Sequence, residues 1–108
     1  MVMTQINISE LVTRDKTDSI SGRDLGIEYA KQIKLLDILS KGEQIEFHID
    51  SELVKAINDS FIKGLFNDVF KKYKRVDEIR KRVSINANDH FQKLFLKNWL
   101  ILQEIHNV

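Results

Sequence analysis

Few residues of this chain have types and spacings that could do chemistry, and the first are a histidine and an aspartate. His48 and Asp50 lie two residues apart in the segment QIEFHID, so their side chains share one face of a predicted strand. They could supply two metal ligands, but a zinc site takes at least three from the protein, and no third residue stands at a recognisable spacing. We interpret both as solvated side chains and predict no metal site.

Other catalytic patterns are not found in the sequence. The chain has no cysteine, which excludes thiolate nucleophiles, disulfides and cysteine-ligated metals. Its four glycines do not form a phosphate-binding loop; Gly22 and Gly26 bracket the start of a predicted helix, where close packing explains them better. Sequence order alone does not establish a Ser-His-Asp relay. We therefore predict a protein that is not an enzyme and needs no cofactor.

A run of cations, KKYKRVDEIRKR, is the strongest charge feature. Its basic residues are Lys71, Lys72, Lys74, Arg75, Arg80, Lys81 and Arg82. One interpretation is a phosphate-binding patch of a nucleic-acid-binding accessory protein, using the segment 71–82. The other is the cationic end of a helix running into a solvated loop. The second is favoured because Asp77 and Glu78 dilute the charge and the whole chain carries a net charge of only +1.

The apolar spacing predicts an α/β fold in which these residues are positioned by one domain, residues 1–108. We expect a short strand within Thr4 to Val12 and a loop over Thr13 to Ile20. A helix follows from a capping box at Ser21–Asp24 and stops at Gly42. The next strand, QIEFHID, alternates strictly, with one face buried.

The second half of the chain contains the best-defined helix. After a connection or short strand near Ile57, Asp59 or Ser60 is a good N-cap for a helix that continues to Tyr73. A brief strand is expected at 83–87, and Asn88 or Asp89 caps the last helix. The order is strand, helix, strand, short strand, helix, strand, helix, which predicts a small sheet with helices packed on it.

The last helix carries apolar residues beyond its main stripe. Leu96, Leu100 and Ile101 fall outside the buried positions, which predicts a surface for a homodimer or a partner protein. No signal peptide is recognised, and no apolar run approaches the ~20 residues of a membrane helix. We therefore expect a cytoplasmic protein that does not bind membranes.

With these elements placed, the chain resembles the bacterial STAS-like domain family of unknown function, from about Ile6 to the end. The matching motifs are Ser21-Gly-Arg23, the strand IEFHID, the segment NDSFIKGLF, and Ile85-Asn-Ala-Asn88 before an amphipathic helix. In such families the fold is a small sheet with helices on one side. Proper STAS domains resemble anti-sigma factor antagonists, which bind a regulatory ATPase-kinase and are controlled by serine phosphorylation.

The resemblance implies a non-catalytic regulatory domain whose protein partner is a GHKL-type, histidine-kinase-like ATP-binding regulator. The antagonist pattern Asp-Ser-Ser-Gly-x-Gly is altered here, because Phe61 replaces the acceptor serine and Ile62 the first glycine. Ser60 could carry a phosphate at the start of its helix, but its interpretation as a cap is favoured. We predict a partner-binding surface at Asp59, Ser60 and Lys63, with Phe61 buried beneath it.

Overall fold

The computed structural model describes residues 3–106, which fold into an α/β structure as predicted. The strands are β1 (Met3–Asn7), β2 (Ser19–Ile20), β3 (Gln44–His48), β4 (Ala56–Ile57) and β5 (Val83–Asn86). The helices are α1 (Glu10–Asp15), α2 (Arg23–Gln32), α3 (Leu35–Ser40), α4 (Asp59–Leu65), α5 (Asn67–Lys72), α6 (Val76–Arg80) and α7 (Asp89–His106).

The main sheet has the order β1-β3-β5, and all three strands are parallel. Both crossovers move in the same direction across the sheet, so right-handed connections place their helices on one face. Ile45 and Phe47 of β3 point to that face and are fully buried. The opposite face carries the registered row Gln5, Glu46 and Ser84 and is open to solvent to varying degrees. This departs from most parallel sheets, which are covered on both faces.

A second, two-residue parallel sheet joins β2 to β4 and was not expected from the sequence. Ile20 and Ile57 pair in register and both are buried. Because β2 leads into α2 and β4 leads into α4, this small sheet sets the starting points of the two helices side by side.

The two helices then touch backbone to backbone at a pair of glycines. A Cβ on Gly26 would overlap the carbonyl oxygen of Phe61 and lie 2.6 Å from the backbone nitrogen of Leu65. A Cβ on Gly64 would likewise overlap the carbonyl oxygen of Arg23. Close packing therefore explains Gly26, as predicted, and Gly64 as well. For Gly22 the prediction is wrong, because an added Cβ would meet nothing closer than 3.9 Å and the positive φ of 105° is what favours glycine there. No larger residue fits at this crossing without separating the helices.

Aromatic rings fill the space between α7, the α4–α5 junction and the sheet. Phe66 packs edge-on against Trp99, with ring centroids 5.1 Å apart, and its ring also contacts Phe47 and Phe95. Phe70 also packs against Trp99, with their ring centroids 4.8 Å apart. Such tilted and edge-on contacts are the favoured geometries for aromatic rings.

Several sequence-based boundaries are wrong in the N-terminal half. The predicted strand of Thr4–Val12 ends at Asn7, whose Oδ1 accepts a hydrogen bond from the amide of Ser9 and turns the chain. Leu11 and Val12 are buried as part of α1, and the expected loop contains the end of that helix and β2.

The prediction for the first long helix is also wrong in two details. Ser21 forms no capping bond; the N-cap is Gly22, with a φ of 105°. The helix breaks between α2 and α3 at Lys34, whose φ is 58°. That left-handed conformation is uncommon for a residue with a side chain, so the break could not be predicted from a lysine at this position. Gly42 follows the end of α3 with a φ of 76°, as predicted.

The second predicted long helix is also two helices in the structure. Its N-cap is Asn58, not Asp59 or Ser60, and it breaks at Phe66 into α4 and α5. The helix α6 lies inside the basic run, where no element was expected. The brief strand β5 is confirmed, and so is Asn88 as the cap of α7, because its Oδ1 accepts a hydrogen bond from the amide of Phe91 at 3.0 Å.

Candidate functional site

The predicted partner surface begins at the capped start of α4. The Oδ1 atom of Asn58 accepts a hydrogen bond from the amide of Ser60 at 2.8 Å and another from the Ser60 hydroxyl at 2.7 Å. Asn58 is the better cap because it stands one position before the first helical residue, where its side chain reaches the orphan amides. The Ser60 hydroxyl therefore supports the cap rather than forming it.

The hydrogen bond from the Ser60 hydroxyl affects whether this residue can carry a phosphate. Phosphorylation would remove the proton that the hydroxyl donates to Asn58 and would add negative charge beside the carboxylate of Asp59. The start of the helix favours the added negative charge, whereas the lost hydrogen bond and the repulsion from Asp59 disfavour it. The geometry leaves Ser60 half-buried, with its hydroxyl already engaged.

Asp59 joins α4 to α7. Its Oδ2 lies 3.2 Å from the ammonium of Lys97, and its Oδ1 accepts a hydrogen bond from the buried side-chain amide of Asn98 at 3.3 Å. Burial acts to raise the pKa of Asp59, but the hydrogen bonds from Asn98 and Lys97 outweigh it and hold that pKa below its usual range. Asp59 is therefore a structural tie as well as a surface residue.

Lys63 completes the predicted surface one turn further along α4. It is half-exposed, and its charge contributes to lowering the pKa of Asp59. Beneath them Phe61 is fully buried, as expected from the sequence. The structure thus brings Asp59, Ser60 and Lys63 onto one short, firmly anchored helix, and leaves Ser60 and Lys63 within reach of a partner.

The basic run is divided by the structure into two groups. Lys71, Lys72, Lys74, Arg75 and Lys81 are exposed. The other two cations are used inside the protein: Arg82 donates to the carbonyl oxygen of Leu39 at 2.7 Å, and Arg80 donates to that of Val83 at 3.1 Å. Arg82 thereby adds a side-chain donor to a carbonyl at the end of α3 that also accepts a hydrogen bond from the amide of Gly42.

A polar cleft at the carboxyl ends of β1, β3 and β5 was missed by the sequence reasoning. Asn7, His48 and Asn86 stand in register across the three strands, and with Asp50 and Asn88 they line a shallow cleft of about 420 Å³. Each of these residues is the last of a strand or stands two positions after it, and such a pattern can be recognised in a sequence. Only the parallel strand order brings them together.

The histidine and aspartate considered as metal ligands both lie in this cleft. The His48 Nε2 atom lies 2.5 Å from a carboxylate oxygen of Glu46, on the open face of the sheet. The amide of Asp50 donates to the buried hydroxyl of Ser9 at 2.8 Å. Within residues 3–106, no three His, Cys, Asp or Glu side chains are grouped so that they could hold a metal ion.

Comparison with protein-family models, with curated proteins and with solved structures finds no match to this chain. Among the helices formed by residues 3–106, none is both long and apolar enough to cross a membrane.

Proposed function

We propose that this protein is a non-catalytic regulatory domain that binds a partner protein through the start of α4 and the adjoining loops. The observation that carries the proposal is the contrast within this helix. Asn58, Asp59 and Gly64 fix its position, while the side chains of Ser60 and Lys63 stay half-exposed. A preorganised polar surface of this kind loses little conformational freedom on binding.

The partner we propose is a GHKL-type ATP-binding regulator. Support comes from the motifs that resemble the STAS-like family, including NDSFIKGLF, which forms α4 and the residues beside it. The substitution of Phe61 at the usual acceptor position, and its burial, favour a binding surface that works without a phosphate there.

Binding from the source lysate tests the proposal. Tagged wild-type protein and the variants Ser60→Asp, Ser60→Ala and Lys63→Glu are used as bait, with ATP added or omitted, and retained proteins are identified by mass spectrometry. Both Ser60 variants lose the hydrogen bond from the hydroxyl to Asn58 and keep the one from the amide, whereas only Ser60→Asp adds charge. Thr13→Asp, at an exposed position of α1, is the matched control for charge.

We expect wild type, Ser60→Ala and Thr13→Asp to retain an ATP-binding protein that Ser60→Asp and Lys63→Glu lose, each variant still melting cooperatively. Equal retention by all five folded proteins would place the partner surface elsewhere. Retention of proteins without an ATP-binding member would overturn the proposed partner class while leaving the surface open to mapping.

Nucleic-acid binding by the segment 71–82 is the second candidate, favoured by the exposure of five cations within it. Binding of labelled duplex DNA and of RNA is measured as salt rises. A phosphate-contact mode must weaken steeply with salt and must fall further in a Lys71→Gln/Lys72→Gln/Lys74→Gln variant. Salt-independent or undetectable binding would remove this candidate.

A further inference from the structure

The outer edge of β5 is an unpaired strand edge. Arg82 and Asn86 direct their carbonyl oxygens toward β3, where they accept hydrogen bonds from the amides of Ile45 and Ile49. Backbone groups alternate in direction along a strand, so the N–H and C=O groups of Val83 and Ile85 point outward. Within residues 3–106 no strand lies beside them. Such an edge is a template for one more strand.

One part of this edge is blocked and the other is free. The guanidinium of Arg80 donates to the carbonyl oxygen of Val83 at 3.1 Å, which occupies the beginning of the edge. The outward N–H and C=O of Ile85 have no hydrogen-bond partner in the part of the chain that the structure describes. A strand added here would exchange its backbone hydrogen bonds with Ile85.

A groove of about 300 Å³ runs between this edge and the N-terminal half of α7. Its walls include Val83 and Ile85 from β5, Lys93 and Leu96 from α7, and Arg80 at one end. Leu96 is 43% exposed, and Leu100, one turn further along α7, is 54% exposed. The groove therefore offers apolar surface beside free backbone groups, which is the combination that an extended peptide needs.

The floor of the groove continues into a narrow apolar notch formed by Phe95, Leu96 and Trp99. The indole N–H of Trp99 is buried and has no hydrogen-bond acceptor within residues 3–106. A buried donor without an acceptor is destabilising, so an acceptor supplied from outside would be favoured wherever it can reach.

The charge of the groove selects its occupant. Arg80 and Lys93 are the charged residues of its walls, and no acidic side chain lines it. Lys93 also forms no hydrogen bond or ion pair with a described residue. Lys93 is exposed and Arg80 half-buried, and cations without a counter-charge favour a partner that brings carboxylates.

We infer that this groove binds an extended acidic peptide segment of a protein partner, added as a strand along β5. Its backbone pairs with Ile85, an apolar side chain covers Leu96, and its carboxylates lie near Arg80 and Lys93. The site is separate from the α4 surface, because Asn98 faces α4 from another side of α7. The inference stands whether or not the proposed function is correct.

The test is an NMR titration of ¹⁵N-labelled protein with a synthetic acetylated peptide of sequence GEVEVLEVEG. Amide shifts are expected at residues 83–85 and 92–96, and the Ile85 amide should exchange more slowly with solvent once the peptide is bound. A Lys93→Glu variant should bind about tenfold more weakly, as for loss of a rim charge pair followed by repulsion. Lys41→Glu, an exposed lysine at the end of α3, is the matched control and should bind as wild type.

Two modified peptides test the charge complementarity and the backbone pairing separately. A version with lysine in place of every glutamate should not bind, and a version methylated on alternate backbone nitrogens should bind much more weakly. Equal binding of either peptide, shifts confined to α4, or no binding at all would overturn the site. Protection of the Ile85 amide that rises with protein concentration alone would instead assign the groove to a second copy of the chain.

Discussion

The contact between α2 and α4 and the packing around α7 hold the same core by opposite means. At the first, Gly26 and Gly64 let two backbones meet with no side chain between them. At the second, Phe66, Phe70 and Trp99 interlock as rings. The first contact has no room for an added atom. At the second, a ring can be replaced by a smaller apolar side chain with a loss of stability that grows with the volume removed. The position of the α4 surface therefore depends on a contact that tolerates no added atom.

Gly64→Ala is expected to have the largest effect on this comparison. The added methyl group would overlap the backbone of Arg23, so the helices must separate or the protein must unfold, a loss of several kcal/mol in the free energy of unfolding. Gly42→Ala is the control, because its added methyl meets nothing within 4 Å and only the left-handed φ of 76° is penalised. Urea denaturation should show a much smaller loss for Gly42→Ala. Similar losses for both would contradict the close contact.

Phe66→Ala is expected to have the next largest effect, because it empties the centre of the aromatic cluster. Truncating a fully enclosed phenylalanine costs about 3–5 kcal/mol through lost burial and the cavity left behind. Phe66→Leu should lose clearly less, since it keeps most of the apolar volume. If Phe66→Leu were as damaging as Phe66→Ala, the cluster would be as intolerant as the glycine contact, and the comparison would fail.

The tie between Asp59 and α7 should give the smallest effect, and it should depend on pH. Hydrogen bonds lower the folded-state pKa of Asp59, so the carboxylate stabilises the fold above its unfolded pKa, and this contribution is lost as pH falls through the folded pKa. Asp59→Asn should therefore be less stable than wild type at pH 7, and the difference should shrink below about pH 4. Urea denaturation at several pH values measures it.

The exposed Glu52 provides the control for that series, because its carboxylate makes no ion pair with a described residue. Glu52→Gln should leave stability nearly unchanged at each pH. A constant difference between wild type and Asp59→Asn from pH 7 to pH 3 would show that the charge of Asp59 contributes nothing.

Local pattern was enough to predict much of the sheet and the last helix. Ile45 and Phe47 alternate with polar residues, and that period of two belongs to a half-buried strand whatever its neighbours. Asn88 caps α7 through a hydrogen bond that spans three residues of sequence. Features set by a few neighbouring residues can be found from the sequence.

The features that the sequence did not reveal depend on distant contacts. Lys34 takes a left-handed conformation although neither glycine nor proline marks the break. In the sequence, Arg82 cannot be distinguished from Lys81 by charge. Only the nearby end of α3, whose Leu39 carbonyl it binds, makes Arg82 a structural hydrogen-bond donor. For the candidate site, Asp59, Ser60 and Lys63 were predicted together, but the tie from Asp59 to Asn98 required the position of α7.

The parallel order of the main sheet also constrains how the chain can assemble as it is synthesised. Paired residues of neighbouring strands lie about forty positions apart in the sequence, so no hairpin can form early to start the sheet. Until β5 leaves the ribosome, β3 keeps one edge unpaired, and α7, which covers the aromatic cluster, follows later still. The core therefore closes last at its C-terminal end, and a chain halted before Val83 would expose the surfaces that invite aggregation.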